Sequence, residues 1–461
     1  MRRTREGAKA YEHSLDHAVE FFSKAGSLFV KRESFYPEEE SALGLFQKTW
    51  IVDPIVAFKL LLWLRDCRGG AGNRSGARAI YEWLGDSDPK WIETNIGWLP
   101  LVGRWDDLRV LFNTSAGASA VKLWSEAIRN KDVLAAKWAD RKDVSLQIAL
   151  GLNEAKLRKL LARIRKNHIV EFKMCEDLWS EINYKTVPSV AMARYTKAFG
   201  RHDAERFEAY KEALKKGETT VHAGVLFPHD CVRTVRHGDT EIGDAQFDAL
   251  PNYMAKDVRA IVIADTSGSM SVPVAGSIEA ADISQCMALY CSAKLPSTNP
   301  FYKKFLSFSN EGKFKDWRRM KFSTAVNSYE IFDHAVGSTQ IGKALRLILS
   351  TAKFFNLPDA QMPNMLLIVS DMQFHEGSSV GSKAEVENAL DEWLREGYSI
   401  PQVVYWNTSG YAGQPVTTKH KNVALVSGFS PSILKAIFAA EDLTPRGVML
   451  KALEKYKIEI P

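Results

Sequence analysis

Two kinds of hydrophobic spacing divide the chain. Up to about residue 250, apolar residues recur every three or four positions, the period of one helix face. The clearest case is Asp53–Asp66, DPIVAFKLLLWLRD. Asp-Pro supplies an N-cap and a first turn, and Gly69-Gly70 stops the helix. Segments at 77–86, 106–112, 121–130, 154–168, 190–199 and 204–217 repeat the pattern, with short polar or glycine-bearing joints. Helices of this kind bury their stripes on their neighbours, as in a HEAT-like stack. No strict sequence period accompanies the rhythm.

Near Leu250 the spacing changes. Val258–Asp265, Tyr302–Ser309, Asn364–Asp371, Pro401–Trp406 and Asn422–Ser427 are short apolar runs rich in branched residues. Such runs read as strands buried on both faces. Helical patterns at 278–294, 341–355 and 383–397 lie between most of them. The alternation predicts a doubly wound, Rossmann-like α/β domain whose ligands sit at the carboxyl ends of the strands. The expected division is an α-helical repeat domain over 1–247 and an α/β domain over 248–461. The second part carries its own sheet and is expected to fold alone.

Composition adds limits. The 461 residues are 46% hydrophobic and 25% charged, which excludes a disordered or collagen-like chain. No apolar run is long enough to span a bilayer, and no apolar stretch follows the arginines of the N-terminus, so neither membrane nor secretory signal is expected. Five cysteines without CxxC spacing speak for a reducing compartment and against a cysteine zinc site. The expected setting is cytoplasmic. The net charge of +6 is uneven. Residues 1–240 carry +7 and the remainder −1, and Lys137–Ile169 alone holds nine basic residues against three acidic ones. These are Lys137, Arg141, Lys142, Lys156, Arg158, Lys159, Arg163, Arg165 and Lys166. A solvated helix face and an anionic partner both account for such a run.

The strongest chemical signal lies at strand ends. The first apolar run ends in Asp265-Thr266-Ser267-Gly268-Ser269-Met270, a D-x-S-x-S pattern between strand and helix. Gly337-Ser338-Thr339 precedes a helix, and a later run ends in Ser370-Asp371. Hydroxyls with carboxylates make a hard oxygen site, suited to Mg²⁺ or Mn²⁺. The competing account is an ordinary turn with Asx and serine capping bonds. The pattern resembles the von Willebrand factor A domain and its metal-ion-dependent adhesion site. That resemblance implies direct metal ligation by Ser267, Ser269 and Thr339. Asp265 and Asp371 would act mostly through water, and one position would be left for a partner's acidic group.

A second resemblance covers the helical half. Arg65-Asp66-Cys67-Arg68-Gly69-Gly70-Ala71-Gly72-Asn73-Arg74, Gly103-Arg104-Trp105-Asp106-Asp107-Leu108 and Pro188–Tyr195 are similar to segments of the TROVE module. TROVE helices followed by an A domain is the architecture of the Ro ribonucleoproteins. It is also that of a relative, domain of unknown function 2828, which the SDMQF ending and Phe227–Asp230 resemble more closely. The resemblance implies a ring of helices closed by the A domain, single-stranded RNA ends in a basic hole, and structured RNA outside.

The glycines of the RGGAGNR loop follow a helix and lack phosphate-loop spacing, so a helix cap and tight turn is the better reading. Arg65, Asp66, Arg68, Arg104, Asp106 and Asp107 are expected mainly to pair with one another. No nucleophile elbow or catalytic set stands out. The expectation is a monomeric, non-enzymatic RNA-binding protein with a Mg²⁺ or Mn²⁺ site. The alternative is a protein-interaction scaffold that captures a partner's acidic residue at the metal.

Overall fold

The computed structural model describes residues 2–3, 9–10, 15–28, 41–166, 168–221, 223, 226–275, 278–332, 337, 340–372, 385–410 and 422–461. From His17 to Asp248 the described chain is almost entirely helical. Its caps follow from side chains at the predicted joints. Asp53 accepts from the Val56 amide at 2.9 Å and Asn153 from the Lys156 amide at 2.9 Å. Helix Pro54–Arg65 is buried from Leu60 through Arg65, with neighbours all round it.

The second half is built on a six-stranded sheet: β1 Ala260–Asp265, β2 Lys304–Phe308, β3 Gly312–Asp316, β4 Met365–Ser370, β5 Gln402–Asn407 and β6 Val423–Ser427. The order is β6-β5-β4-β1-β2-β3. All pairs are parallel except β2 with β3. The five expected strands are present. The sixth, β3, escaped the reading because its pattern is inverted: Phe314 is exposed while Lys315 is buried and donates to the Glu330 carbonyl. The chain leaves β1 toward β2 on one side and returns to β4 on the other. The order therefore reverses between β1 and β4, where an open α/β sheet forms its ligand crevice.

One hydrophobic core runs from Ala18 to Tyr456 through both halves, and a smaller cluster lies among Ile182, Phe199, Phe207 and Ile242. The position 247/248 falls at the end of helix Thr240–Asp248, and the larger core does not divide there. Two junctions explain why. At one, helix Pro228–Arg236 meets helix Ala280–Lys294, with the Arg236 guanidinium on both Asp282 oxygens at 2.6 and 2.8 Å.

At the other junction, helix His17–Lys24 lies on the sheet edge. Ser427 of β6 donates to the Phe22 carbonyl at 2.7 Å, and Ser27 donates to the Asn407 carbonyl at 2.7 Å. Gly26 is needed here, because a Cβ would sit 2.7 Å from Ser427 Oγ and 2.9 Å from the Gly428 nitrogen. The C-terminal segment laces back into the helices: Glu459 and Asn95 exchange two hydrogen bonds at 2.8 and 2.9 Å. The helical half thus meets the α/β half at both of its ends. Among the described residues no helix is long and apolar enough to cross a membrane.

Candidate functional site

Four of the five predicted metal-site residues converge at the reversal between β1 and β4. Register places Ala264 beside Val369, so Asp265 and Ser370 follow as the last residues of adjacent strands, paired outward with Phe308 and Asn407. Asp265 is fully buried; its Oδ1 accepts from the Ser267 amide at 2.9 Å and its Oδ2 from Ser370 Oγ at 2.5 Å. The Ser267 and Ser269 hydroxyls lie 3.2 Å apart. Asp371 is 4% exposed. Thr339 lies outside the described residues. The Gly337 carbonyl accepts from the Gly268 amide at 2.9 Å.

The Asx bond at Asp265 belongs to any strand-to-turn exit. The second carboxylate does not. Burial, and after it the charge of Asp371, push the Asp265 carboxyl up to about 7, against the hydrogen bonds from Ser370 and Ser267. Two buried carboxylates so placed are compatible with a cation between them, which would favour both charges. Among the described residues no three of His, Cys, Asp and Glu are arranged to hold a metal ion, so a cation site here would draw on hydroxyls beside two carboxylates. That donor set fits Mg²⁺ or Mn²⁺.

Ser370 was missed as a positioning residue. Its hydroxyl bonds Asp265 and also accepts from the Met372 amide at 2.9 Å. Met372 has φ +63°, a left-handed conformation rare for a non-glycine residue, held directly after Asp371. The serine before the aspartate was the available signal.

The RGGAGNR loop is a helix cap and turn, as expected. The Ala71 and Asn73 amides donate to the Trp63 and Leu64 carbonyls, and a Cβ on Gly70 would collide with the Trp63 oxygen. The charged residues around it pair only in part as expected. Arg65 reaches Asp107 at 2.7 Å, but Asp66 turns to Lys455 and Tyr456, and Arg78 takes both Asp106 and Asp107.

In the basic segment, helix Glu154–Arg165 buries Leu157, Leu161 and Ile164 and half-buries Leu160. Lys142, Lys156, Arg158, Lys159, Arg163 and Lys166 are exposed. Among the described residues none of these six has a carboxylate partner. Arg165 is half-buried, donates to the Leu161 carbonyl at 3.1 Å, and is weakened as a base by burial. Lys137 and Arg141 are committed to Glu171 and Glu154 at 3.0 and 3.2 Å.

Comparison with known proteins places relatives beside this geometry. Uncharacterized protein L728 of Acanthamoeba polyphaga mimivirus is 24% identical, over 98% of this chain and 87% of that protein. The crystal structure of the Deinococcus radiodurans RO (RSR) protein aligns over 97% of this chain and 96% of that chain, at 14% identity and a TM-score of 0.40. Residues 259–455, which hold the whole sheet, match the Domain of unknown function (DUF7788). Residues 125–265, which hold the basic helix and run to the end of β1, match the Domain of unknown function (DUF2828), the family that the motifs of this sequence resemble.

Proposed function

We propose that the protein is a non-enzymatic RNA-binding protein that holds single-stranded RNA through the cationic face of helix Glu154–Arg165. The observation that carries this reading is the row Lys156, Lys159, Arg163 and Lys166. Its members are exposed and, among the described residues, without carboxylate partners, while Leu157, Leu161 and Ile164 anchor the opposite side. A row of free cations on a fixed helix is suited to phosphates, whose neutralisation releases counterions. The motif resemblance to TROVE points the same way. Filter binding of single-stranded RNA at two salt concentrations, with the row intact and neutralised, tests it.

A second reading is favoured by the pair Asp265–Asp371 at the sheet reversal. There, Asp265, Ser267, Ser269, Thr339 and Asp371 hold one Mg²⁺ or Mn²⁺, and a partner protein's acidic side chain completes the ion's coordination. When bound, the ion supplies an electrophilic anchor. This chain's residues supply its oxygens and, through Ser370, fix Asp265. Titration calorimetry with Mg²⁺ alone tests that site separately from RNA.

A further inference from the structure

A cluster of arginines beside the RGGAGNR turn is built around too few carboxylates. Helix Arg74–Ser87 places Arg74 and Arg78 one turn apart on one face. The turn Trp105–Leu111 presents Asp106 and Asp107, with Arg104 before it. Asp107 is fully buried, and its two oxygens are used up. Oδ1 accepts from Arg78 Nε at 2.7 Å, and Oδ2 accepts from Arg65 Nε at 2.7 Å and the Arg104 amide at 2.9 Å. Asp106 lies 2.8 Å from Arg78 Nη2.

Asp107 is therefore committed to Arg65 and Arg78, while Asp106 spends Oδ2 on Arg78 and keeps a buried Oδ1 without a hydrogen-bond partner among the described residues. The Arg104 guanidinium lies over the Trp138 ring, 4.7 Å from its centroid. Among the described residues, neither the Arg74 nor the Arg104 guanidinium has a hydrogen-bond or carboxylate partner. Partial burial of the guanidinium weakens Arg74 as a base, and the charges of Arg104, Arg78 and Arg65 add to the effect, with Asp106 opposing. Among the described residues, four guanidiniums thus stand against two carboxylates. The cluster is graded in exposure: Arg65 is 3% exposed at its side chain, Arg78 27%, and Arg74 is exposed.

We infer that Arg74, Arg78 and Arg104 form a binding site for a phosphate group. Guanidinium forks match a tetrahedral oxyanion, and two surplus positive charges match its charge. Asp106 and Asp107 hold Arg78 and Arg65 in place from below, and the Trp138 ring fixes the plane of Arg104. The site shares no residue with the cationic face of helix Glu154–Arg165, so either can fail without the other.

The test uses the full chain and inorganic phosphate as probe. Unfolding midpoints are followed through a phosphate series, beside sodium chloride of equal ionic strength and pH. Phosphate also stabilises proteins generally by exclusion from their surface, an effect that variants share. The bound fraction is the saturable part of the shift. Arg74→Gln and Arg104→Gln, which touch neither acid through their side chains, are expected to weaken that saturable part about tenfold or more. Their midpoints without phosphate should stay level or rise, because crowding of like charge is relieved. Competition by a short single-stranded RNA at micromolar concentration assigns the phosphate to a nucleic-acid backbone. Absence of competition assigns it to a small phosphate-bearing molecule, and either result is consistent with the site. A wild-type shift without a saturable part, or one unchanged in both variants, overturns the proposal.

Discussion

The Tyr456 hydroxyl donates to Asp66 Oδ2 at 2.9 Å, bonding residues 390 positions apart. Asp66 also caps the RGGAGNR turn through the Arg68 and Gly69 amides and receives Lys455 at 2.7 Å. One carboxylate therefore ties the last residues of the chain to a turn in its first hundred. Removing the hydroxyl deletes a buried hydrogen bond to a charged group and leaves the other partners in place. Tyr456→Phe should cost about 1.5–3 kcal/mol. Urea unfolding of the full chain measures it, and an unchanged midpoint would show the bond to be idle.

Asp66 also sets an acid limit. Burial pushes its carboxyl up, but the hydrogen bond and charge of Lys455 and the two backbone amides together hold it below the ordinary value. A carboxyl lowered in the fold stabilises above its unfolded pKa of about 4, and that contribution is lost as pH falls through the folded value. The stability difference between wild type and Asp66→Asn should be constant from pH 5 to 7 and should shrink below about pH 4. A difference that grows on acidification would contradict the direction of the shift.

The shared core bears on how the halves fold. Phe22 is fully buried, its ring 4.4 Å from that of Trp63, and its carbonyl holds Ser427 of the edge strand. Phe22→Ala should cost about 3–5 kcal/mol, the range for a large buried side chain. Residues 248–461 expressed alone should bind a hydrophobic dye strongly, because β6 and helix Pro445–Leu453 lose the helices they pack against. Weak dye binding with a sharp unfolding transition would instead establish two independent units.

At the sheet reversal, Asp265→Asn removes one of two buried carboxylates while keeping the side chain's shape. Wild type should give saturable heat with Mg²⁺ and unfold at a higher temperature in its presence. The variant should give neither. Without cation the variant should be at least as stable as wild type, since less charge is buried. Equal Mg²⁺ heats from both proteins would remove the site.

The sequence made some of this legible and hid the rest for physical reasons. Strands β1, β2, β4, β5 and β6 were visible because a strand covered on both faces is a continuous apolar run. Strand β3 was not, because at an edge Lys315 faces inward and Phe314 outward. Asp265, Ser267, Ser269 and Asp371 were visible as oxygen-bearing residues at strand ends. Ser370 was not, because its role depends on β4 lying beside β1. Helix His17–Lys24 hides its function in Glu20 and Lys24, a buried pair 2.7 Å apart that reads as surface charge. Arg78 reads as an ordinary exposed helix residue; only the placement of Asp106 and Asp107 from another turn makes it the centre of a network.

The cationic row gives the last prediction. Three of its four members, Lys159, Arg163 and Lys166, have no acid to satisfy within the described chain, so neutralising them breaks no ion pair. Leu157, Leu161 and Ile164 remain, and Lys159→Gln/Arg163→Gln/Lys166→Gln should fold as wild type does. If RNA phosphates lie along this face, wild-type affinity falls with salt by about 0.7 logarithmic units per logarithmic unit of salt for each phosphate neutralised. The triple variant should flatten that slope by about two to three phosphates' worth. The loss should be similar for unrelated RNA sequences, because phosphate contacts position rather than specify. Lys137 and Arg141 make the internal comparison. Each is already held by a glutamate, so neutralising those two should change the slope less than removing two free cations. Filter binding at a low and a moderate salt concentration reads both effects. An unchanged slope in the triple variant would make this helix a solvated face and take RNA away from it.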